Sequence, residues 1–419
     1  MKALLKIFLV ALCFVLVGCS TAHPVSSTEA GVSLSHEGYK LEKVVILSRH
    51  NIRSPLVEKG SVLDNATTHQ WYEWSSGPSE LSLKGGVLET IMGQYFRKWL
   101  DSEGLIKENT RIAENVRIYA NSKQRTIATA RFFSAALFPN ANVMVEYHMD
   151  NDAMDPVFNP IITLESESYY AAVREQIAQM FTETIEGLAD NYSLLCDVID
   201  HENPQSFRTD DYEIVLQKGA EPGVTGSLKL GCQISDALVL QYYEEADEIK
   251  AGFGKKLSLS QWEAISDIKD VYIDVLNTTP LVSVVIAHPL LVELENEIKA
   301  EGRVFSFLCG HDSNVASVLS ALGVRKYKLE NSIERNTPIG CKLVFSQWSS
   351  EDGSLYWSVD LVYQTTTQLR ENTILDLSNG PAVCHLEFEG LHSNEDGLYP
   401  DSAFREHITT SIDKFYEVL

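Results

Sequence analysis

Residues 43–55 contain the clearest candidates for catalytic side chains. This stretch places His50 between Arg49 and Arg53, in a polar loop that follows the short apolar run 44–47. An imidazole is a competent nucleophile near neutral pH, and guanidinium groups match phosphate oxygens in a bidentate way. The pattern therefore indicates attack on an anionic group such as a phosphate. A surface loop with incidental charges is the alternative interpretation of these residues taken alone.

Two more short apolar runs, at 116–120 and 304–308, lead into polar loops of the same kind. The first is followed by Arg125 at the predicted start of a helix, where anions are favoured. The second is followed by His311 and Asp312. Each signal is weak alone, because Arg125 could be a cap or a surface charge and Asp312 could be the N-cap of its helix. Since open α/β sheets carry their sites beyond the carboxyl ends of the strands, the three loops are expected to lie at one site.

Bulk composition limits the classes of partner. The chain has 419 residues, of which 44% are hydrophobic, as in an ordinary soluble globular protein. Its formal net charge is −24, which argues against nucleic acid as a partner because a phosphate backbone needs a basic surface. An anionic substrate would need a local cluster of cations to hold it against the field of the whole protein. No His/Cys cluster has the spacing of metal ligands, so no metal and no cofactor are expected.

Residue composition and pattern divide the mature chain into two regions. Residues 39–164 and 270–419 contain the strand–loop–helix patterns, and residues 165–269 are helical in pattern, acidic and rich in Tyr. The predicted fold class is therefore α/β, with a doubly wound sheet domain and an inserted, mostly helical second domain.

The N-terminus predicts export. Residues 1–18 have a positively charged start and an apolar run too short for a comfortable membrane span, as in a signal peptide. The sequence Leu-Val-Gly-Cys that ends at Cys19 resembles a bacterial lipobox, in which the Cys is acylated. Residues 19–38 then read as a polar tether. Ser20 resembles the residue that lets such lipoproteins travel to the outer membrane, so a lipid anchor in the cell envelope, at the outer membrane, is expected. A plain signal peptide cleaved elsewhere is the alternative.

The combined pattern is far more specific than any of its parts. It resembles the histidine acid phosphatases, the second branch of the histidine phosphatase superfamily, whose usual motif is Arg-His-Gly-x-Arg-x-Pro with a distant His-Asp pair. Asn51 stands where most members have Gly. The chain is similar to the glucose-1-phosphatases of that family, which share this Asn, from about residue 38 nearly to the C-terminus. The segments that carry the similarity include 48–53, 121–126, 154–163, 221–231, 241–244, 310–314 and 335–340.

The resemblance implies a role for each residue of the pattern. His50 would be the nucleophile that forms a phosphohistidine, and Asp312 would protonate the leaving oxygen. Glu221 stands where the glucose-1-phosphatases place a substrate-contacting glutamate, although it could be a loop carboxylate that faces solvent. The residues implied to bind the phosphate are Arg49, Arg53, Arg125 and His311.

Three functions remain open at this point. The first is a lipid-anchored phosphatase that acts on glucose-1-phosphate or similar small-molecule phosphate monoesters. The second is a phytase, which acts on inositol hexakisphosphate; an acidic chain argues modestly against it, because so highly charged a substrate favours a broad basic mouth. The third is a phosphate-ester-binding lipoprotein without catalysis, which the presence of all the expected site residues argues against.

Overall fold

The computed structural model describes residues 33–56, 61–107, 110–150 and 152–418. The predicted signal peptide, the lipidation site Cys19 and most of the predicted tether lie outside these residues. Among the helices that are described, none combines the length and the apolar character needed to cross a membrane.

One large mixed sheet organises the chain. The described strands are β1 (Lys40–Arg49), β2 (Val116–Ala120), β3 (Val145–Glu146), β4 (Ile214–Val215), β5 (Gly223–Val224), β6 (Phe305–Gly310), β7 (Lys342–Ser349), β8 (Leu355–Tyr363), β9 (Ala382–His385) and β10 (Tyr399–Pro400). The large sheet has the order β10-β8-β7-β1-β6-β2-β3, with β9 beside β8, and β4 and β5 form a separate pair. Strands β1, β6, β2 and β3 are parallel neighbours, whereas β7 to β10 add antiparallel pairs. The parallel half is the part that can carry a site at its strand ends.

Helices surround this sheet. Those described are α1 (Val62–Ala66), α2 (Leu83–Ser102), α3 (Ile112–Asn115), α4 (Gln124–Leu137), α5 (Glu167–Glu186), α6 (Ala189–Val198), α7 (Gly226–Glu244), α8 (Glu248–Ala251), α9 (Leu259–Ile273), α10 (Pro280–Ile286), α11 (His288–Lys299), α12 (Asp312–Ala321), α13 (Thr366–Glu371) and α14 (Asp401–Val418). A short 3₁₀ helix covers Pro204–Ser206, and α9 continues into a π-helical turn, Asp274–Thr278. Residues 165–269 contain helices α5 to α8 and most of α9, and their status as a separate domain stays a prediction.

Strand β1 is buried on both of its faces. Val44 and Ile46 belong to a core cluster shared with Phe133 of α4, whereas Val45 and Leu47 belong to a second cluster on the other side. Because successive side chains of a strand point to opposite faces, helices must cover both faces of the sheet here. This explains why the strand reads as a continuous apolar run rather than an alternating one. The predicted α/β fold class is confirmed.

A buried ion pair lies behind the loop that follows β1. Lys342 Nζ lies 2.8 Å from Glu89 Oε1, and both side chains are 0% exposed. The Asn51 amide also donates to Glu89 Oε1, at 2.8 Å. The pair therefore fixes the residue next to His50 as well as joining strand β7 to helix α2.

We expect Lys342→Met to lower the free energy of unfolding by roughly 3–5 kcal/mol, because Glu89 would stay buried without its cation. The double variant Glu89→Gln/Lys342→Met removes both charges and is expected to regain most of this loss. Urea denaturation of the three proteins measures the difference. Equal stabilities for the single and double variants would contradict the role of the ion pair.

Candidate active site

Three neighbouring strands bring their polar loops to one edge of the sheet. Strands β1, β6 and β2 end level with one another, since Arg49 pairs with Gly310 and Ala120 pairs with Cys309. Backbone hydrogen bonds from His50 to Gly310 and from Asn121 to Cys309 continue the pairing one residue beyond the ends of β1 and β2. The residues that follow the three strands are His50, Asn121 and His311. The loops expected from the sequence to meet therefore do meet.

The three loops open into a cavity of about 420 Å³. Of the residues singled out in the sequence, six line it: His50, Arg53, Arg125, Glu221, His311 and Asp312. Arg49 is only 1% exposed and lies behind the wall, with its Nη2 3.1 Å from Asp312 Oδ2. Helices α7 and α9 supply much of the remaining lining. The interpretation of Arg49 to Arg53 as an incidental surface loop is wrong, because these residues are buried.

His50 is held in one protonation state. Its Nδ1 lies 2.8 Å from the carbonyl oxygen of Asn51, which can only accept a hydrogen bond, so the ring carries its proton on Nδ1. Burial, reinforced by the positive charge of Arg125, holds the pKa of His50 well below its ordinary value. The lowered pKa favours the neutral imidazole, whose Nε2 lone pair is available for attack on an electrophile.

Three guanidinium groups around His50 have donors to spare. Arg49, Arg53 and Arg125 each bury an Nε that finds no acceptor among the residues that the structure describes. Arg53 is anchored by Nη2 to Asp236, 3.0 Å away. Burial, together with the charge of Arg53, lowers the pKa of Arg125 to about 10. Unpaired buried donors and crowded positive charges are both relieved by an anion bound between them.

Behind the arginines, Glu334 fixes two of the cations. This carboxylate is 1% exposed and accepts from Arg49 Nη1 at 2.6 Å and from Lys269 Nζ at 2.7 Å. Burial acts to raise its pKa, but the charges of Lys269 and Arg49 lower the pKa of Glu334 to about 2. It therefore remains ionised in acid and holds Arg49 in place.

His311 is oriented by Asn121. The Asn121 Oδ1 accepts from the backbone N–H groups of Ser122 at 2.8 Å and Asp155 at 2.9 Å, which leaves its amide nitrogen to donate to His311 Nε2 at 2.7 Å. The neutral His311 ring must then carry its proton on Nδ1, which lies 3.3 Å from Arg125 Nη2. The N–H donors of His311 Nδ1 and Arg125 Nη2 thus lie side by side, as expected where an anionic oxygen binds to both.

Asp312 begins helix α12 next to these donors. The alternative that Asp312 is the N-cap of its helix is wrong, because His311 occupies that position. Burial acts to raise its pKa, but the positive charges of Arg49 and Lys269 hold the pKa of Asp312 below its ordinary value. The carboxylate is therefore ionised when no anion offsets these cations. A bound anion offsets those cations, which favours protonation of Asp312.

Comparison with known proteins places the chain in a family. Residues 40–364 match the model of the histidine phosphatase superfamily, branch 2. The chain belongs to this family. This phosphatase is 33% identical to a glucose-1-phosphatase of Providencia rettgeri, over 93% of its own length and 96% of the relative's. It is 36% identical to a glucose-1-phosphatase of Salmonella typhimurium, over 90% and 93%.

Phytases are also among the similar proteins. Phytase AppA of Escherichia coli is 27% identical over 90% of this chain and 93% of its own. The structure of the Hafnia alvei phytase superposes with a TM-score of 0.82 at 25% identity, covering 91% of this chain and 99% of that one. Together with the glucose-1-phosphatases, these relatives establish that this phosphatase is a histidine acid phosphatase and hydrolyses phosphate monoesters. The resemblance drawn from the sequence is confirmed.

Several residues that shape the site of this phosphatase were missed in the sequence. Asp236 and Lys269 lie on helices α7 and α9, where a charged residue reads as part of a solvated face. Glu334 lies in a loop without periodicity. The role of Asn121 could have been predicted, because it directly follows its strand, as His50 and His311 do.

We expect Asn121→Asp to make the activity of this phosphatase newly sensitive to alkali. A carboxylate facing Nε2 would raise the pKa of His311, so the ring would be a cation that donates from Nδ1 below that pKa. Above it, the proton would remain on Nε2 and the Nδ1 donor would be lost. Activity should then fall roughly tenfold or more as the pH rises, as for the loss of one oxyanion donor.

The pH profile of kcat/KM measures this effect. The surface variant Asn65→Asp changes the same functional group at an exposed position of helix α1 and should keep the wild-type profile. A profile of Asn121→Asp that runs parallel to the wild type at all pH values would argue against control of the His311 tautomer by Asn121.

Proposed function

We propose that this phosphatase hydrolyses glucose-1-phosphate or a related sugar phosphate through a phosphohistidine at His50. The observation that carries the proposal is the cluster of three guanidinium groups with unpaired Nε donors around an imidazole whose Nε2 is free. The relatives named glucose-1-phosphatase are more similar in sequence than Phytase AppA, which favours a sugar phosphate.

In the first step, the lone pair of His50 Nε2 forms a bond to phosphorus while the bond from phosphorus to the ester oxygen breaks. Asp312, protonated once the phosphate has offset the neighbouring cations, gives its proton to the leaving oxygen and releases the alcohol. The phosphate oxygens are held by Arg49, Arg53, Arg125 and His311. Because phosphoryl transfer depends on positioning and charge stabilisation, these donors supply most of the rate enhancement.

In the second step, water attacks the phosphohistidine. Asp312, now a carboxylate, takes a proton from the water as the new bond from oxygen to phosphorus forms, and the bond from phosphorus to Nε2 breaks. Inorganic phosphate leaves, and both His50 and Asp312 return to their starting protonation states. Splitting the reaction at His50 replaces one difficult displacement by two easier ones.

Glu221 is the residue proposed to contact the alcohol part of the substrate. It is an exposed residue that lines the cavity, which puts it at the solvent side of the site. Partial desolvation in the cavity, followed by the negative charge of Asp312, raises the pKa of Glu221 above its ordinary value. A carboxyl at the mouth accepts hydrogen bonds from sugar hydroxyls, but it repels a second phosphate.

We expect kcat/KM at mildly acidic pH to be higher for glucose-1-phosphate than for inositol hexakisphosphate. Phosphate release by the soluble protein that starts after Cys19 measures both substrates side by side. Glu221→Gln should lower kcat/KM for glucose-1-phosphate and raise it for inositol hexakisphosphate, since the repelling charge is removed. A wild-type preference for inositol hexakisphosphate would favour the phytase alternative, and bound but unhydrolysed ester would favour a binding protein.

The proposal places the enzyme in the bacterial cell envelope, with a lipid anchor at Cys19 and the outer membrane as its destination. Its support is the sequence of the N-terminal segment, with an apolar run that ends in Leu-Val-Gly-Cys. Cys19→Ala should release the enzyme from the membrane fraction. A Cys19→Ala protein that remained membrane-bound would refute lipidation at this residue.

A further inference from the structure

Part of the cavity lining comes from the end of helix α9 and the π-helical turn after it. The residues of this segment that line the cavity are Lys269, Tyr272, Ile273, Leu276 and Asn277. Lys269 is engaged by Glu334 and Asp270. The remaining four form a surface that is apolar in the middle and polar at its edges, and the mechanism proposed above uses none of them.

Asn277 is the most unusual member of this wall. Its side chain is 5% exposed and lines the cavity, yet its amide makes no hydrogen bond with any residue that the structure describes. The Tyr272 hydroxyl and the Gln233 amide, which also line the cavity, likewise have no hydrogen-bond partner in the described part of the chain. None of these polar atoms is among the fully buried unpaired ones, so each is open to the cavity and can reach a ligand there. A set of unpaired neutral donors and acceptors around one cavity indicates a ligand that pairs with them.

The π-helical turn holds Asn277 in a fixed position. The Asp274 carboxylate accepts from Arg335 Nη2 and from Asn336 Nδ2, each at 2.7 Å. The Thr278 hydroxyl donates to the Asp274 carbonyl at 2.8 Å, which satisfies a backbone oxygen of the widened turn. Single π-helical turns inside helices are frequent at functional sites. Because the turn is braced at both ends, the Asn277 amide is organised before any ligand binds, and little ordering remains to be done on binding.

The chemistry of this wall selects the class of ligand. An amide and a phenol carry no charge at mildly acidic pH, so they suit hydroxyl groups rather than a second anion. Ile273 and Leu276 between them suit the apolar face of a ring. A polyhydroxylated ring presents both, with carbon–hydrogen faces and hydroxyl edges. A simple alkyl or aryl alcohol would leave the buried amide unpaired, and a site built to bond a hydroxyl discriminates against such an analogue.

We propose that Asn277, with Tyr272 and Gln233, binds hydroxyl groups of the leaving alcohol and selects phosphate monoesters of polyhydroxylated rings. This inference rests on the proposed function, because the cavity must first be the place where a sugar phosphate is hydrolysed. It adds a specificity element on helix α7 and at the end of helix α9, on different elements from the phosphate-binding loops and from Glu221.

The test compares Asn277→Leu, which keeps the size of the side chain, with the wild type on two substrates. For glucose-1-phosphate, kcat/KM should fall roughly 3- to 12-fold, the range for one lost neutral hydrogen bond. For p-nitrophenyl phosphate, whose leaving group has no hydroxyl for Asn277 to bind, the loss should be smaller, within about twofold on the same reasoning. Turnover of the second substrate also shows that the variant is folded, and Asn277→Ala serves as a second variant.

Monodeoxy analogues of glucose-1-phosphate, tested on the wild type and on Asn277→Leu, pair a change in the substrate with the change in the enzyme. For the wild type, one analogue should have a lower kcat/KM than glucose-1-phosphate. For Asn277→Leu, the same analogue and glucose-1-phosphate should have nearly equal kcat/KM values, since the two changes remove the same hydrogen bond. The variant Asn65→Leu, at an exposed position of helix α1, should treat every analogue as the wild type does.

Two results would overturn the inference while leaving the proposed function standing. One is an equal loss on both substrates, which would make Asn277 a structural residue; the other is full activity of Asn277→Leu on glucose-1-phosphate. A different result would remove the proposed function and the inference with it: a wild-type enzyme that hydrolyses p-nitrophenyl phosphate but no sugar phosphate.

Discussion

Replacing His50 by Ala is expected to lower kcat for every phosphate monoester by roughly 10⁴-fold or more, as for the loss of a catalytic nucleophile. The reason lies in the protonation states of the two histidines. His50 has a free Nε2, whereas His311 has its Nε2 engaged by Asn121 and its Nδ1 protonated. No second imidazole lone pair is therefore available among the described residues that line the cavity.

Rapid quenching with radiolabelled substrate measures the covalent step directly. The wild type should retain acid-labile phosphate on the denatured protein, and His50→Ala should retain none. His392→Ala, which changes an exposed histidine in a loop, is the matched control and should behave as the wild type. Labelled phosphate trapped at the normal rate on His50→Ala would place the nucleophile elsewhere.

Asp312→Asn is expected to produce a loss that depends on the leaving group. For glucose-1-phosphate, kcat should fall roughly 10²- to 10⁴-fold, since an alkoxide leaves poorly without a proton from a general acid. For p-nitrophenyl phosphate the loss should be much smaller, because p-nitrophenolate is a stable anion and leaves without help. The measurement is kcat for both esters across a range of pH values.

The pH dependence adds a second criterion for Asp312. A carboxyl must bind a proton to act as an acid, and Arg49 and Lys269 oppose this until the substrate offsets their charge. Wild-type kcat should therefore fall as the pH rises, and Asp312→Asn should lose that dependence for glucose-1-phosphate. Asp413→Asn, on the exposed side of helix α14, is the control. Equal losses for the two esters would exclude Asp312 as the general acid.

The residues of this site that could be predicted are those that belong to short, local sequence patterns. Each apolar run that leads into a polar loop became a strand with functional residues at its end, and the loops around His50, Arg125 and His311 meet as expected. This succeeded because buried parallel strands read as continuous apolar runs and because sheet topology fixes which ends meet.

The supporting charges could not be predicted in the same way. Glu334 and Lys269 come from a loop and from helix α9, and only tertiary packing brings them to Arg49. A lysine on a helix reads as a solvated charge, and nothing local marks it as buried. The same limit applies to Asn277, whose position depends on a π-helical turn that no hydrophobic period encodes. The ionised state of Asp312 follows from these packed cations, so it could not be read from its sequence neighbours.

The position of β1 in the sheet also governs how the enzyme can fold. This strand is made first, but Val44 pairs with Phe305 of β6 and with Ser346 of β7, so both of its neighbours are made much later. During synthesis the chain cannot close its central sheet, and the loop carrying His50 cannot be completed, until most of the polypeptide exists. Such distant pairings make for slow folding and leave apolar strands exposed meanwhile. The delay before closure is compatible with the export proposed above, and until β6 and β7 exist the unpaired apolar residues of β1 are prone to aggregate.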